Sequence, residues 1–228
     1  MSTLVQLCQR VMRATGYNPP STFNTSQTPD AKRLVELVNE AGNELLRSQW
    51  RRLTFEATIS ASTTTTYSLP SDFWEGINNT FWSRTQTEQN IGPINEQDWQ
   101  LYKATDFDSA LVTGWRLEYT QGTPVLVLLD APAASSSVDT MILEYKSKNW
   151  IVNTTSSAVA TIWSNDAERP IWDDHLMYTE IKWRWLRAKG ADFEMDFANA
   201  QAQKDSELSR DKGGSQKLRM GGDWSRFY

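Results

Sequence analysis

A chain of 228 residues that is 39% apolar and 22% charged can bury one large core or two small ones, and it is too apolar for disorder. Its net charge of −5 argues against nucleic acid as the main partner, because neutralising phosphate takes a basic face. One cysteine rules out an intrachain disulfide or a thiolate metal cluster, and no stretch reaches the ~20 apolar residues of a membrane span.

Arg10 and Arg13 interrupt any apolar stretch that could serve as a secretory signal, so the expected compartment is cytosol-like. The unusual number is 11 tryptophans. Tryptophan fills cores and dominates interface hot spots, and about half of these are expected in the core.

Thr3 to Gln6 has the spacing of a capping box, and Leu4, Cys8 and Val11 follow on one helical face, where Cys8 is expected simply to pack. Gly16 and Pro19-Pro20 end that helix, and residues 17–28 read as a polar surface loop. Thr28-Pro29-Asp30 starts a second helix, whose stripe of Leu34, Leu37, Val38, Ala41 and Leu45 runs on to Trp50.

From Leu53 the texture becomes Thr-, Ser- and Val-rich. Phe55–Ile59 and Tyr67–Leu69 flank a Ser/Thr tract and predict a hairpin. Asn95 caps a short helix. Trp115–Tyr119 and Val125–Leu129, turning at Gln121-Gly122, predict the clearest hairpin, and Met141–Tyr145 would extend it to a three-stranded meander. Thr154–Ala160 reads as a loop.

Near the end, Trp172, Leu176, Thr179, Trp183 and Leu186 recur at helical spacing and form an apolar stripe. Gly190 breaks the run, Asp192 can cap the helix that follows, and that helix carries Glu194 and Asp196 in its first turn and Arg210 and Lys212 in its last. Leu34, Val38, Ala41 and Leu45 are expected to face Leu176, Trp183 and Leu186. The fold class is therefore α+β: a helical bundle of residues 1–52 and 166–212, an inserted antiparallel β module at 53–165, and an extended C-terminal arm at 213–228.

Chemistry is sparse. There is no phosphate loop, dinucleotide fingerprint or zinc-protease motif, so no catalytic, cofactor-binding or metal residue is assigned. His175 stands in Asp173-Asp174-His175, but neighbouring helical positions point about a hundred degrees apart and cannot close a coordination sphere. The enzymatic alternative is a cell-wall-degrading or carbohydrate-binding virion protein. In that reading Asp72, Glu75, Asp98 and Asp106 serve as paired acids beside Trp74, Trp82 and Trp99. The ordinary alternative is that Arg84 and Arg116 pair with those acids.

Several strings together resemble the head–tail adaptor proteins of tailed bacteriophages. They are Leu69-Pro-Ser-Asp-Phe73, Ile77-Asn-Asn-Thr-Phe-Trp-Ser-Arg84, Gly92-Pro-Ile94 with Trp99, Trp115–Tyr119, and Leu143–Ser147 before Trp150. The most specific is Ile181-Lys-Trp-Arg-Trp-Leu-Arg-Ala-Lys-Gly190-Ala-Asp-Phe193, followed by Arg210–Gly214 and Met220-Gly-Gly222. The Asp223–Tyr228 ending departs from the family pattern.

The resemblance implies a virion neck protein, assembled in the host cytoplasm without catalysis, in a homo-oligomeric ring of usually twelve copies. Its partners would be the portal protein above and a tail or nozzle protein below, with no membrane. DNA would pass without sequence recognition, and a negative lumen would let it slide. A tail-completion subunit differs from this reading only in partner. Within the arm, Leu218, Arg219, Met220, Trp224, Arg226, Phe227 and Tyr228 combine aromatic, apolar and basic groups, which makes them the candidate portal-docking residues. The alternative is a tail without function.

Overall fold

The computed structural model describes residues 2–61, 63–85, 87–105, 114–120, 122–129, 139–153 and 158–212. The protein is mixed α and β and divides into two compact units, Met1–Arg52 with the chain from Trp150 onward, and Leu53–Asn149. Helices α1 (Leu4–Ala14) and α2 (Pro29–Leu46) open the chain. Strands β1 (Thr54–Ala61), β2 (Thr66–Ser68), β3 (Phe73–Gly76) and β4 (Trp82–Ser83) follow, then α3 (Glu96–Ala104), β5 (Trp115–Thr120), β6 (Thr123–Leu128) and β7 (Asp139–Ser147). Short strands β8 (Ile151–Val152), β9 (Ala158–Ala160) and β10 (Arg169–Pro170) precede α4 (Asp174–Ala188) and α5 (Glu194–Asp211). No helix among the described residues is long and apolar enough to cross a membrane.

In the helical unit α1 starts on the predicted capping box. Gln6 N–H donates to Thr3 Oγ1 at 3.3 Å, and Thr3 N–H donates to Gln6 Oε1 at 3.0 Å. Cys8 is fully buried on this helix, and burial pushes its thiol pKa up. The loop after α1 is less superficial than its polarity suggests. Phe23 is buried beside Trp163, and Asp166 accepts the N–H groups of Phe23 and Asn24. α2 buries its predicted stripe but stops at Leu46. Trp50 turns back, and its indole N–H donates to Leu45 O at 2.7 Å, a carbonyl at the helix end that also accepts the Ser48 N–H at 3.0 Å.

α4 packs against α1, α2 and α5. The stripe predicts one buried face, yet α4 also buries Met177, Glu180, Ile181, Arg184 and Trp185, because three other helices pack on it and leave the side of His175, Tyr178 and Lys182 open to solvent. Trp183 makes its ring contacts on the α5 side, edge-on to Phe197 at 5.0 Å and near Phe193 at 6.3 Å. Gly190, with φ +68°, takes the left-handed turn after α4. Asp192 accepts the Glu194 N–H at 3.2 Å, while Phe193 occupies the cap position of α5.

Residues 150–165, expected in the β insert, fall in the helical unit. Trp150 explains the difference: it stacks on Trp172 at 5.4 Å and lies against Gly42 of α2. β8 then forms a small antiparallel sheet in the order β10-β8-β9, so part of the expected Thr154–Ala160 loop is a strand. Residues 154–157 and the arm at 213–228 lie outside the described residues.

In the second unit the strands exist where alternation predicts them, but two pairings differ. β1 does not pair with β2; it pairs along its length with β7, and β2 pairs with β6. The β5–β6 hairpin forms as read, from Trp115↔Leu128 to Thr120↔Thr123. β7 leaves that meander for the other sheet, ordered β1-β7-β3 with β4 also on β7. Pairing follows the shared core: Ala57, Ile59, Met141, Leu143 and Tyr145 of one sheet and Trp115, Leu126 and Leu128 of the other belong to one buried cluster.

Gly42 supplies a test of this packing. A Cβ there would lie 2.3 Å from two atoms of the Trp150 ring. Helix propensity favours Gly42→Ala by about 1 kcal/mol, but overpacking a buried ring costs about 1–3 kcal/mol. Gly42→Ala should therefore lower Tm and denaturant midpoint; a rise in either would show that the Trp150 contact is loose.

Candidate functional site

The acids of the enzymatic alternative are dispersed into structural contacts. Asp72 accepts the Tyr145 hydroxyl at 3.0 Å; burial, with this bond, pushes the phenol up to about 12. Glu75 pairs with Lys146 at 3.0 Å across β3 and β7. Asp98 lies in the first turn of α3, where its N–H donates to Asn95 Oδ1 at 2.8 Å and its carboxylate accepts from Asn95 Nδ2 at 2.7 Å. Asp106 lies outside the described residues. Trp99 is fully buried, covered by the Arg116 guanidinium at 4.3 Å from its ring, and presents no face to a sugar. Among the described residues Arg116 pairs with Glu118, and with none of Asp72, Glu75 and Asp98.

The residues around His175 serve the start of α4. Asp173 accepts the His175 N–H at 2.8 Å, Asp174 accepts the Ser2 N–H at 2.8 Å, and the imidazole stacks on Tyr178. Among the described residues no group of three or more His, Cys, Asp or Glu is placed to hold a metal ion.

Two features went unremarked in the sequence. The first is an ion pair inside α4, Glu180 with Arg184, both buried. Glu180 Oε2 also accepts the Trp183 indole N–H at 2.9 Å, and the Arg184 guanidinium sits 4.3 Å from the Trp183 ring. Glu40 of α2 approaches Arg184 at 3.8 Å and Arg187 at 3.5 Å, tying α2 to α4. The i,i+4 spacing of Glu180 and Arg184 was the available signal, although such a spacing ordinarily marks a solvated face.

The second feature is an open depression of about 400 Å³ on the β unit, lined by Glu56, Thr80, Trp82, Arg84, Ile142 and Glu144. A similar hollow of about 470 Å³ lies between Pro93, Ile94, Arg116 and Tyr119, whose ring is 70% exposed. Trp74 and Trp82 are also exposed, so the β unit displays aromatic groups at its surface. The predicted arm residues Leu218, Arg219, Met220, Trp224, Arg226, Phe227 and Tyr228 lie outside the described residues.

Removing Glu180 leaves the buried Arg184 charge only the half-exposed Glu40 at 3.8 Å; a buried charge left unpaired costs about 3–5 kcal/mol, of which Glu40 recovers a part, whereas replacing both members by apolar groups of similar size is near neutral. Glu180→Leu should therefore destabilise the protein strongly in urea melts. Arg184→Met added to it should recover most of the loss; failure to recover would mean that the pair packs more than it compensates.

No curated protein matches the chain. A family model does, over residues 2–224, and that span takes in both units, the α4–α5 hairpin and most of the arm. The match agrees with the resemblance to phage head–tail adaptors, and on it the chain belongs to the SU10 adaptor protein family.

Proposed function

We propose that this protein is a structural head-to-tail adaptor of a bacteriophage virion, assembling as a ring of about twelve copies that joins the portal to the tail and lines the DNA channel. The observation that carries the reading is the family match across nearly the whole chain. Supporting it, Asp72, Glu75 and Asp98, acids that could have signalled hydrolysis, are engaged in strand, hydroxyl and cap contacts. A net charge of −5 suits a channel through which DNA slides, since like charge discourages binding to phosphate. In this reading the helical unit builds the ring, the β unit faces outward or tailward, and the arm reaches the portal through Trp224, Arg226, Phe227 and Tyr228.

Mass photometry of the full chain, alone and mixed with the portal ring of its virion, tests the reading. The expected result is a saturating complex of one portal ring with about twelve copies. Removing residues 221–228 should weaken portal binding about tenfold or more, as loss of an aromatic and arginine hot spot does, with Tm unchanged. Saturation at one or two copies would overturn the ring, and unaltered binding by the truncated chain would overturn the arm's role. Peptidoglycan turnover by the purified protein would favour the enzymatic alternative.

A further inference from the structure

β1 is a sheet edge. β7 pairs with it in unbroken register from Thr54↔Lys146 to Ala61↔Asp139, and among the described residues no strand pairs with its other side. Its eight residues span about 26 Å at the usual rise, and such an edge turns N–H and C=O groups outward along its length. Proteins ordinarily protect an edge with proline, lysine or a bulge. β1, Thr-Phe-Glu-Ala-Thr-Ile-Ser-Ala, contains neither proline nor lysine, and its register shows no shift.

Each face of β1 adds a requirement. On the outward face Glu56 stands directly opposite Glu144. Like charges in that position repel. Among the described residues neither carboxylate is in an ion pair; Arg84 lines the same depression without pairing with them. On the other face Phe55 rests against Tyr145 at 6.3 Å and is still 42% exposed. A strand that completes this edge must carry positive charge on one side and apolar groups on the other, in alternation.

The chain itself contains such a strand in Lys217-Leu218-Arg219-Met220. In an extended backbone Lys217 and Arg219 project to one side and Leu218 and Met220 to the other. The segment belongs to an arm whose basic residues Lys217, Arg219 and Arg226 face one acid, Asp223, in a chain of net charge −5. We infer that this segment of a second copy adds as a strand to the free edge of β1. Lys217 and Arg219 then meet Glu56 and Glu144, and Leu218 and Met220 cover Phe55. Backbone hydrogen bonds supply the affinity, and the alternate side chains set the register. Arm on one patch and edge on another make a head-to-tail contact, which closes into a ring when the rotation per copy allows. The inference rests on the ring reading and names the contact that would build it, leaving Trp224 to Tyr228 for the portal.

A reciprocal charge exchange in the full chain tests it, read as self-association by mass photometry with and without the portal ring. Glu56→Lys should weaken assembly about tenfold, and Lys217→Glu with Arg219→Glu should do the same. Combining all three changes should restore it. Glu56→Lys also removes the repulsion with Glu144, so its Tm should hold or rise, which separates a docking defect from misfolding. To identify whose arm is bound, chains carrying Thr58→Cys are mixed with chains carrying Arg219→Cys under oxidation; Cys8 is buried and silent. Linked dimers in the mixture, above either variant alone, are expected. Linkage found only within a doubly substituted chain places the arm on its own subunit and overturns the exchange. A wild-type ring with Glu56→Lys assembling normally overturns this contact and leaves the ring standing, whereas a wild type that stays monomeric alone and on the portal overturns both.

Discussion

The helical unit is built from two stretches far apart in sequence, and one indole joins them. Trp50, just before the chain leaves the helical unit, lies 6.2 Å from Trp172; Trp150, where it returns, stacks on the same ring at 5.4 Å. All three are buried, and aromatic pairs at such distances gain about 0.5–1.5 kcal/mol beyond their area. The exit is fixed a second time by α5: Arg52 Nε donates to Asp211 at 2.7 Å, and the same carboxylate accepts the backbone N–H groups of Arg51 and Arg52. Helix α4 begins at Asp174, with Asp173 as its cap, so the indole that joins the two stretches stands just before the central helix.

That placement determines what α4 must tolerate. Enclosed by α1, α2 and α5, it has no solvent face for Glu180 and Arg184, and the two neutralise each other inside the helix. The pair is weak evidence for stability, since desolvation offsets much of the attraction. It does orient Trp183 through a hydrogen bond and a cation–π contact, and Trp183 in turn receives Phe193 and Phe197 from the hairpin. Polar groups thus fix the angle at which apolar ones meet.

Helix starts and stops were legible because their chemistry is local. The Thr3–Gln6 box, Pro29 and Gly190 each act within a few residues, and the structure has helices where those signals place them. The α4 stripe was under-read, because periodicity reports one apolar face and cannot show that charged residues on the others are buried too. Strand pairing was less legible still. The Ser/Thr tract after β1 has no Asn-Gly or Asp-Gly turn to force a hairpin, so β1 found β7, about eighty residues on, through a shared core. The tryptophans were also more internal than their reputation for interfaces suggests: Trp50, Trp99, Trp115, Trp150, Trp163, Trp172 and Trp185 are all essentially buried. The indole N–H groups of Trp50, Trp150, Trp163 and Trp185 donate to Leu45 O, Thr161 O, Asn165 O and Thr15 Oγ1, while those of Trp99, Trp115 and Trp172 are buried with no partner among the described residues.

What remains at the surface separates the competing functions better than composition does. A hydrolase needs carboxylates held close together with their charges available, whereas Asp72, Glu75 and Asp98 are each committed to a different neighbour. Glu56 and Glu144, by contrast, stand opposite each other on β1 and β7 beside an exposed Trp82 and Arg84, and among the described residues neither is in an ion pair. Like charges at opposed strand positions repel, and a cation from another chain that enters between them relieves the repulsion. In the proposed ring, a like-charged pair at a free strand edge is where a basic strand of the next copy would bind.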